Sequence, residues 1–245
     1  FLWAIVRDAS PDHPEHSIHI IDFKTVIQGL LLALTNPQIW LNAFVGFLLY
    51  ISLSAFAELW GIPYLEQAQG LSITTAAYAN SMIFLGWAVG GPLWGWFSDH
   101  IKRRCLPMTI GSIGAVIMVC ILLYAPNLPI LTLFNCKIPS VFIVLFLFGC
   151  FSSVQILVFA VCHEASKMKI AGTAIALTNM VVMIGGNVFQ PVIGKLLDAG
   201  WTNSIVHGAR VYPVHAYQVA LTVIPVSIFI AIIVTFFIRE THCSM

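Results

Sequence analysis

The chain has 245 residues, of which 59% are hydrophobic and only 9% charged, and its net charge is +1. About a quarter of a soluble domain's residues carry charge, so a water-soluble globule is excluded, and the near-neutral balance gives no footing for a nucleic-acid partner. The apolar residues fall instead into six runs, each near the ~20 residues that a helix needs to cross a bilayer.

In chain order, residues 1–6 (FLWAIV) are apolar and stop at Arg7-Asp8. Basic charge follows this run rather than preceding it, which is the reverse of a signal peptide; the run reads as the last turns of an earlier membrane helix. Residues 7–37 form a polar linker followed by a surface helix. His13, His16 and His19 recur in it, but Pro14 interrupts them and no cysteine assists, so a solvated linker and no metal site is expected. Residues 22–35 have one apolar helical face and are expected to lie along the membrane surface until Pro37 turns the chain inward. Residues 38–245 then form one all-α domain. Its expected spans are 38–60, 75–97, 106–124, 139–161, 172–196 and 218–238. These runs are too long and too uniformly apolar for barrel strands. The six cysteines are scattered with no CxxC pair, so they read as packing residues and imply neither zinc nor a disulfide framework.

The basic residues orient this domain. Arg7, Lys24, Lys102, Arg103, Arg104, Lys167, Lys169 and Arg239 fall on one side, against Lys137, Lys195 and Arg210 on the other. The bias places both ends of the chain in the cytoplasm and the connections 125–138 and 198–217 outside.

The second span carries the sharpest pattern. Gly86 and Gly90 are one turn apart, as are Gly91 and Gly95, and each pair clears one helix face for a close neighbour, sliding or static. Asp99 follows at the span's end, with Lys102, Arg103 and Arg104 just beyond. A carboxylate there pairs with a guanidinium or a helix N-terminus and serves as a latch, while the basic cluster also satisfies the positive-inside rule. This segment resembles the loop signature of the major facilitator superfamily, Gly-x-x-x-Asp-Arg-x-Gly-Arg-Arg. Gly95, Asp99, Arg103 and Arg104 match it; His100 stands for the usual arginine and Lys102 for the usual glycine. Residues 58–64 (ELWGIPY), 164–179 (EASKMKIAGTAIALTN) and 236–241 (FFIRET) are similar to the outer end of the family's helix seven, its loop from helix ten into eleven, and the inner end of helix twelve. The resemblance implies the C-terminal half of a transporter: six helices, seven to twelve, built as two inverted three-helix repeats. It also implies alternating access, a partner in the N-terminal six-helix half, and a bacterial inner membrane.

Candidates for the solute path follow from polarity at depth. Glu58 is the only acid inside an expected span. It serves a cation or a coupling proton, or else it is an interfacial glutamate, since 61–63 (GIP) is expected to break the helix just beyond. Asn179, Asn187 and Gln190 share one face of the fifth span, where Gly185, Gly186 and Pro191 are expected to weaken the helix; a solute path and interhelical hydrogen bonding both fit. Asn42, Tyr50, Asn80 and Gln155 are further candidates. No Gly-x-Ser-Gly or intramembrane aspartate pair supports a protease, no filter or charge ring supports a channel, and no P-loop supports ATP binding. The expectation is therefore a non-enzymatic symporter without cofactor. Its solute is an uncharged or zwitterionic metabolite such as an amino acid, nucleoside or sugar, and the half on its own is expected to self-associate.

Overall fold

The computed structural model describes residues 23–125, 130–133, 136–166, 171–206 and 209–243. The expected helix end at 1–6, the linker with its three histidines, and Lys167 and Lys169 lie outside the described residues.

A helix at Phe23–Thr35 comes first. Its Ala33 is fully buried against Ile39, Cys162, Ala174 and Leu177, which docks it on the ends of three later helices. Asn36 then caps the next helix, accepting from the Gln38 N–H at 3.0 Å with Pro37 in the first turn; proline belongs there because its missing N–H has no intrahelical partner anyway. The first span runs from Pro37 to Gln69, nine residues past its expected end. Gly61, Ile62 and Pro63 do not break it. The preceding segment, Ser52–Trp60, winds as a π-helix, and the Gly61 N–H donates to the Phe56 carbonyl five residues back. The wider winding relieves the clash that a proline ring makes with the carbonyl four residues earlier.

The other spans are Ile73–Ile101, Cys105–Tyr124, Ser140–Glu164, Ala171–Ala199 and Val214–Thr235. Five of the six are long and apolar enough to cross a membrane. The exception is the second, Ile73–Ile101, which has the length at 29 residues. Its glycines and tryptophans, with Thr74, Thr75, Asn80 and Ser81, dilute its apolar residues. The fourth span changes to a 3₁₀ turn at Ser153–Ile156, while the fifth stays continuous through Gly185, Gly186 and Pro191. The connections at the end remote from Asp99 carry two short hairpins, Ile130–Leu133 with Cys136–Pro139 and Ile205–Val206 with Ala209–Arg210. Strands were not expected. They stand outside the spans, so the membrane domain is all α.

Helix pairing has an internal symmetry. Span two packs along span four, and span one along span five; span three packs against four, and span one against six; spans three and six meet each other. Exchanging spans one to three for spans four to six returns the same pattern. A three-span unit reverses direction, so the second unit is inverted relative to the first. Glycines make the two principal pairs close. A Cβ on Gly86 would land on the Phe146 carbonyl oxygen of span four, and one on Gly149 would land on the Ile83 carbonyl of span two. In the other pair, a Cβ on Gly185 would stand 2.9 Å from the Phe47 carbonyl oxygen, and one on Gly46 would stand 2.7 Å from a Val182 methyl. Lipid tails are as apolar as the side chains they would replace, so such close backbone approach takes over the role that hydrophobic burial plays in water.

Candidate functional site

At the end of the bundle carrying Asp99, a cluster centred on Arg104 ties three spans and the C-terminal tail together. Span two ends at Ile101, and Lys102 turns the chain with φ 53° and ψ 40°. This is the left-handed conformation that disfavours a side chain by about 1–2 kcal/mol. The glycine of the loop signature would sit here, and lysine bears the strain instead. Lys102→Gly is therefore expected to raise stability by about 1 kcal/mol, less the extra entropy of glycine in the unfolded chain; the midpoint of unfolding in detergent reads it directly.

The tight turn delivers Arg104 into the bundle. Its Nη2 donates to Glu164 Oε1 at 2.6 Å and its Nε donates to the same carboxylate at 3.1 Å. Its Nη1 donates to Asp99 Oδ1 at 2.6 Å and to Ser98 Oγ at 2.9 Å. Thr241 donates its hydroxyl proton to the other Glu164 oxygen. Glu240 accepts from the backbone N–H of Arg104 at 2.6 Å and of Cys105 at 3.1 Å, capping span three; a carboxylate is favoured there by the helix dipole. The hydrogen-bonded Glu164 carboxylate, with Asp99 adding to it, holds the Arg104 pKa above its ordinary value against the opposing effect of burial. Exposure divides the cluster. The side chains of Arg104 and Glu164 are 8% and 4% exposed, whereas Asp99 is 65% exposed. A buried pair thus positions one carboxylate that stands open to a partner.

Of the expected gate residues, Asp99 and Arg104 meet. Arg103 is exposed and takes part in no ion pair among the described residues. Among the described residues, Gly95 has nothing within 4 Å of a Cβ position, and Gly91 faces the tip of Ile156, while Gly86 and Gly90 press on the backbone of span four. Glu164 and Glu240 complete the cluster and are not marked by the loop signature; the signal for them is an acid at or just past the end of an apolar span. A cavity of about 250 Å³ lies beside this cluster, between Asn36, Gln38, Val161, Ala165 and residues 238–241; no solute-path candidate lines it.

Four of the solute-path candidates, Tyr50, Glu58, Asn80 and Gln190, meet at the π-helical stretch. A π winding frees backbone carbonyls, and two helices answer them: Gln190 of span five donates to the Ser54 carbonyl at 2.7 Å, and Asn80 of span two donates to the Ala57 carbonyl at 2.7 Å. Asn42 donates to the Val158 carbonyl at 2.7 Å, just after the 3₁₀ turn of span four, and Gln155 is buried within that turn. Asn42 Oδ1 and Asn80 Oδ1 are buried without a partner among the described residues. Tyr50 donates to Glu58 Oε1 at 3.4 Å. In an unbroken α-helix, residues eight apart diverge by about 80° around the axis, so it is the π stretch between them that turns the two onto one face. A Cβ on Gly186 of span five would stand 4.0 Å from the Tyr50 ring. Asn187, next to Gly186, is exposed, as is Asn179 two turns earlier. Glu58 is itself exposed and lies eleven residues before the helix end at Gln69, about 16 Å along the axis.

Comparison with known proteins decides the family. The model of the Major Facilitator Superfamily matches residues 1–190. The chain belongs to the Major Facilitator Superfamily, and it is a multi-pass membrane protein. It is similar to the membrane sensor protein UhpC of Escherichia coli, 29% identical over 167 residues that cover 67% of this chain and 36% of UhpC. It is also similar to the probable galactarate/D-glucarate transporter GudP of Escherichia coli, 27% identical over 201 residues that cover 79% of this chain and 42% of GudP. This superfamily chain thus spans about four-tenths of the length of the curated relatives it matches.

Proposed function

We propose that this chain is the C-terminal half of a secondary transporter that moves a small solute across a bacterial inner membrane by alternating access, driven by protons. The helix at Phe23–Thr35 lies along the membrane surface, and residues 38–245 form the transport domain. The Asp99 end faces the cytoplasm, as the excess of basic residues there favours, and the hairpin end faces outside. The partner is an N-terminal six-helix half; alone, this half leaves apolar helix faces open and pairs with itself or with another half.

The observation that carries the reading is the Arg104 cluster. A buried ion pair fixes the ends of spans two, three and four, and it presents the exposed Asp99 carboxylate as a contact that forms and breaks. Glu58, paired with Tyr50 beside the π-helical stretch, is the proton carrier, because an acid at depth is expensive and helix irregularities collect at such sites. Asn179, Asn187 and Gln190 line the path from span five. With one acid and no base near the middle of its spans, this half suits an uncharged or zwitterionic metabolite.

Full-length protein in proteoliposomes tests this against radiolabelled metabolites, with and without an inward proton gradient. The panel includes a sugar diacid because of the likeness to GudP. Gradient-driven accumulation of one solute is expected. Glu58→Gln is expected to abolish accumulation while leaving solute exchange intact, since exchange needs no net proton movement. Sensing is the second reading, favoured by the likeness to UhpC. Solute binding without uptake, by folded and correctly oriented protein, would establish it and remove transport.

A further inference from the structure

Spans two and five carry the same residues at the same spacing. Asn80, Gly86, Val89, Pro92, Gly95 and Asp99 recur as Asn179, Gly185, Val188, Pro191, Gly194 and Asp198, each pair 99 positions apart. The three-span units are inverted, so the two aspartates close their helices at opposite ends of the bundle. Their surroundings correspond. Asp99 accepts from Arg104 at 2.6 Å; Asp198 accepts from Arg210 Nη1 at 2.8 Å and from the Tyr212 hydroxyl at 2.7 Å. Among the described residues, only Oδ1 is engaged in either case, and the two side chains are 65% and 51% exposed. The exposed faces correspond as well. Leu85, Val89, Pro92 and Trp96 lead along one face toward Asp99, and Ile184, Val188, Pro191 and Lys195 lead along the matching face toward Asp198.

Asp198 is more elaborately held than a casual surface pair. The Arg210 guanidinium lies 4.5 Å from the centre of the Trp201 ring. Trp201 Nε1 donates to the Ser204 carbonyl at 3.1 Å, and Ser204 Oγ donates to the Val211 carbonyl at 2.8 Å, which closes the hairpin on itself. An exposed ion pair adds little to stability, so a cation–π stack, a phenol and a hairpin arranged around one carboxylate call for another role. Fixing the carboxylate in advance lowers the ordering cost of any contact it makes.

We propose that Asp198 is a second latch carboxylate, the inverted counterpart of Asp99, which closes the hairpin end against the partner half while the Asp99 end is open. Its free oxygen accepts a hydrogen bond from a partner-half helix N-terminus or hydroxyl. The inference rests on the reading of this chain as half of an alternating-access transporter. The two latches act in opposition: Asp99 engaged means Asp198 released, and the reverse.

Hydrogen–deuterium exchange on the full-length protein in lipid tests this without knowledge of the solute. Asp99→Asn is expected to speed exchange at the loop around 98–104 and slow it at the hairpin around 200–212. Asp198→Asn is expected to do the opposite, with changes of about fivefold or more at each end, the usual lower bound for coupled sites. The exchanged pair Asp198→Arg with Arg210→Asp rebuilds the local ion pair but moves the carboxylate. It is expected to behave like Asp198→Asn at the 98–104 loop, and this separates a latch from a hairpin staple. Wild-type exchange in the exchanged pair would overturn the proposal, as would an Asp198→Asn effect confined to the hairpin. If Asp99→Asn couples the two ends and Asp198→Asn does not, the second latch alone fails; if neither couples them, alternating access fails with it.

Discussion

Arg104→Ala is expected to destabilise the folded protein by about 3–5 kcal/mol, the cost of leaving a buried charge without its partner. The stranded group is Glu164, whose side chain is 4% exposed and which takes three of its hydrogen bonds from Arg104. The substitution also empties the space between the ends of spans two, three and four. Asp99→Asn, at the exposed end of the same cluster, should cost no more than about 1 kcal/mol. Chemical denaturation of purified full-length protein in mixed micelles measures both. The ordering of the two decides the point, because a cluster that only obeyed a charge-placement rule would treat them alike. Replacing the pair together, Arg104→Met with Glu164→Leu, is expected to recover most of the loss, since no buried charge then remains unpaired. If Arg104→Ala and Asp99→Asn fall within error of each other, Glu164 is hydrated and the cluster does not anchor the latch.

This division of labour bears on mechanism. A gate in which every member was buried would be too costly to open, and one in which every member was exposed would hold no fixed geometry. Here the Arg104–Glu164 pair is buried and Asp99 is 65% exposed, which suits a cluster whose core stays closed. On the proposed reading, switching requires the breaking of a solvent-accessible, salt-screened contact and nothing deeper.

Much of this architecture is legible in the residues. Apolar runs of membrane length mark the spans, and Asp99 followed by basic residues marks the loop where Asp99 and Arg104 meet. What the sequence hides is geometry that depends on neighbours. Gly61, Ile62 and Pro63 look like a helix break, because nothing local reveals that a π-helical stretch before them absorbs the proline. Glu58 therefore reads as lying near a helix end, whereas the helix runs on to Gln69. Arg103 and Arg104 are indistinguishable by type; the left-handed turn at Lys102 decides which one points inward. Asn80 and Gln190 read as solute-path candidates by polarity alone; that each donates to a backbone carbonyl of span one depends on neighbours the sequence does not place. Asp198 was legible in principle, since the 99-position repeat is written in the sequence. It takes the inverted pairing of the helices to give that repeat a meaning.

Gly86→Ala is expected to be the most damaging single-methyl change in the second span, and Gly95→Ala one of the least. At Gly86 the added carbon would meet the Phe146 carbonyl oxygen, with the Cys150 nitrogen 2.7 Å away. Both are backbone atoms of span four, so no side chain can rotate to make room; the two helices must separate along the most extensive contact in the bundle. Overpacking of this kind costs about 1–3 kcal/mol even where side chains can yield, so the upper end of that range or beyond is expected here. At Gly95 nothing among the described residues lies within 4 Å of a Cβ position, and alanine in a helix interior gains about 0.5–1 kcal/mol over glycine. The two substitutions therefore differ in sign, although both remove a glycine from the same helix. Denaturation midpoints of the two variants, measured side by side, test it. Equal and small effects would mean that spans two and four are not in backbone contact, and that the glycines serve only to make the helix bend. The inverted repeat supplies an internal control: Gly185→Ala meets the Phe47 carbonyl oxygen at a looser 2.9 Å, so its cost should fall between the other two.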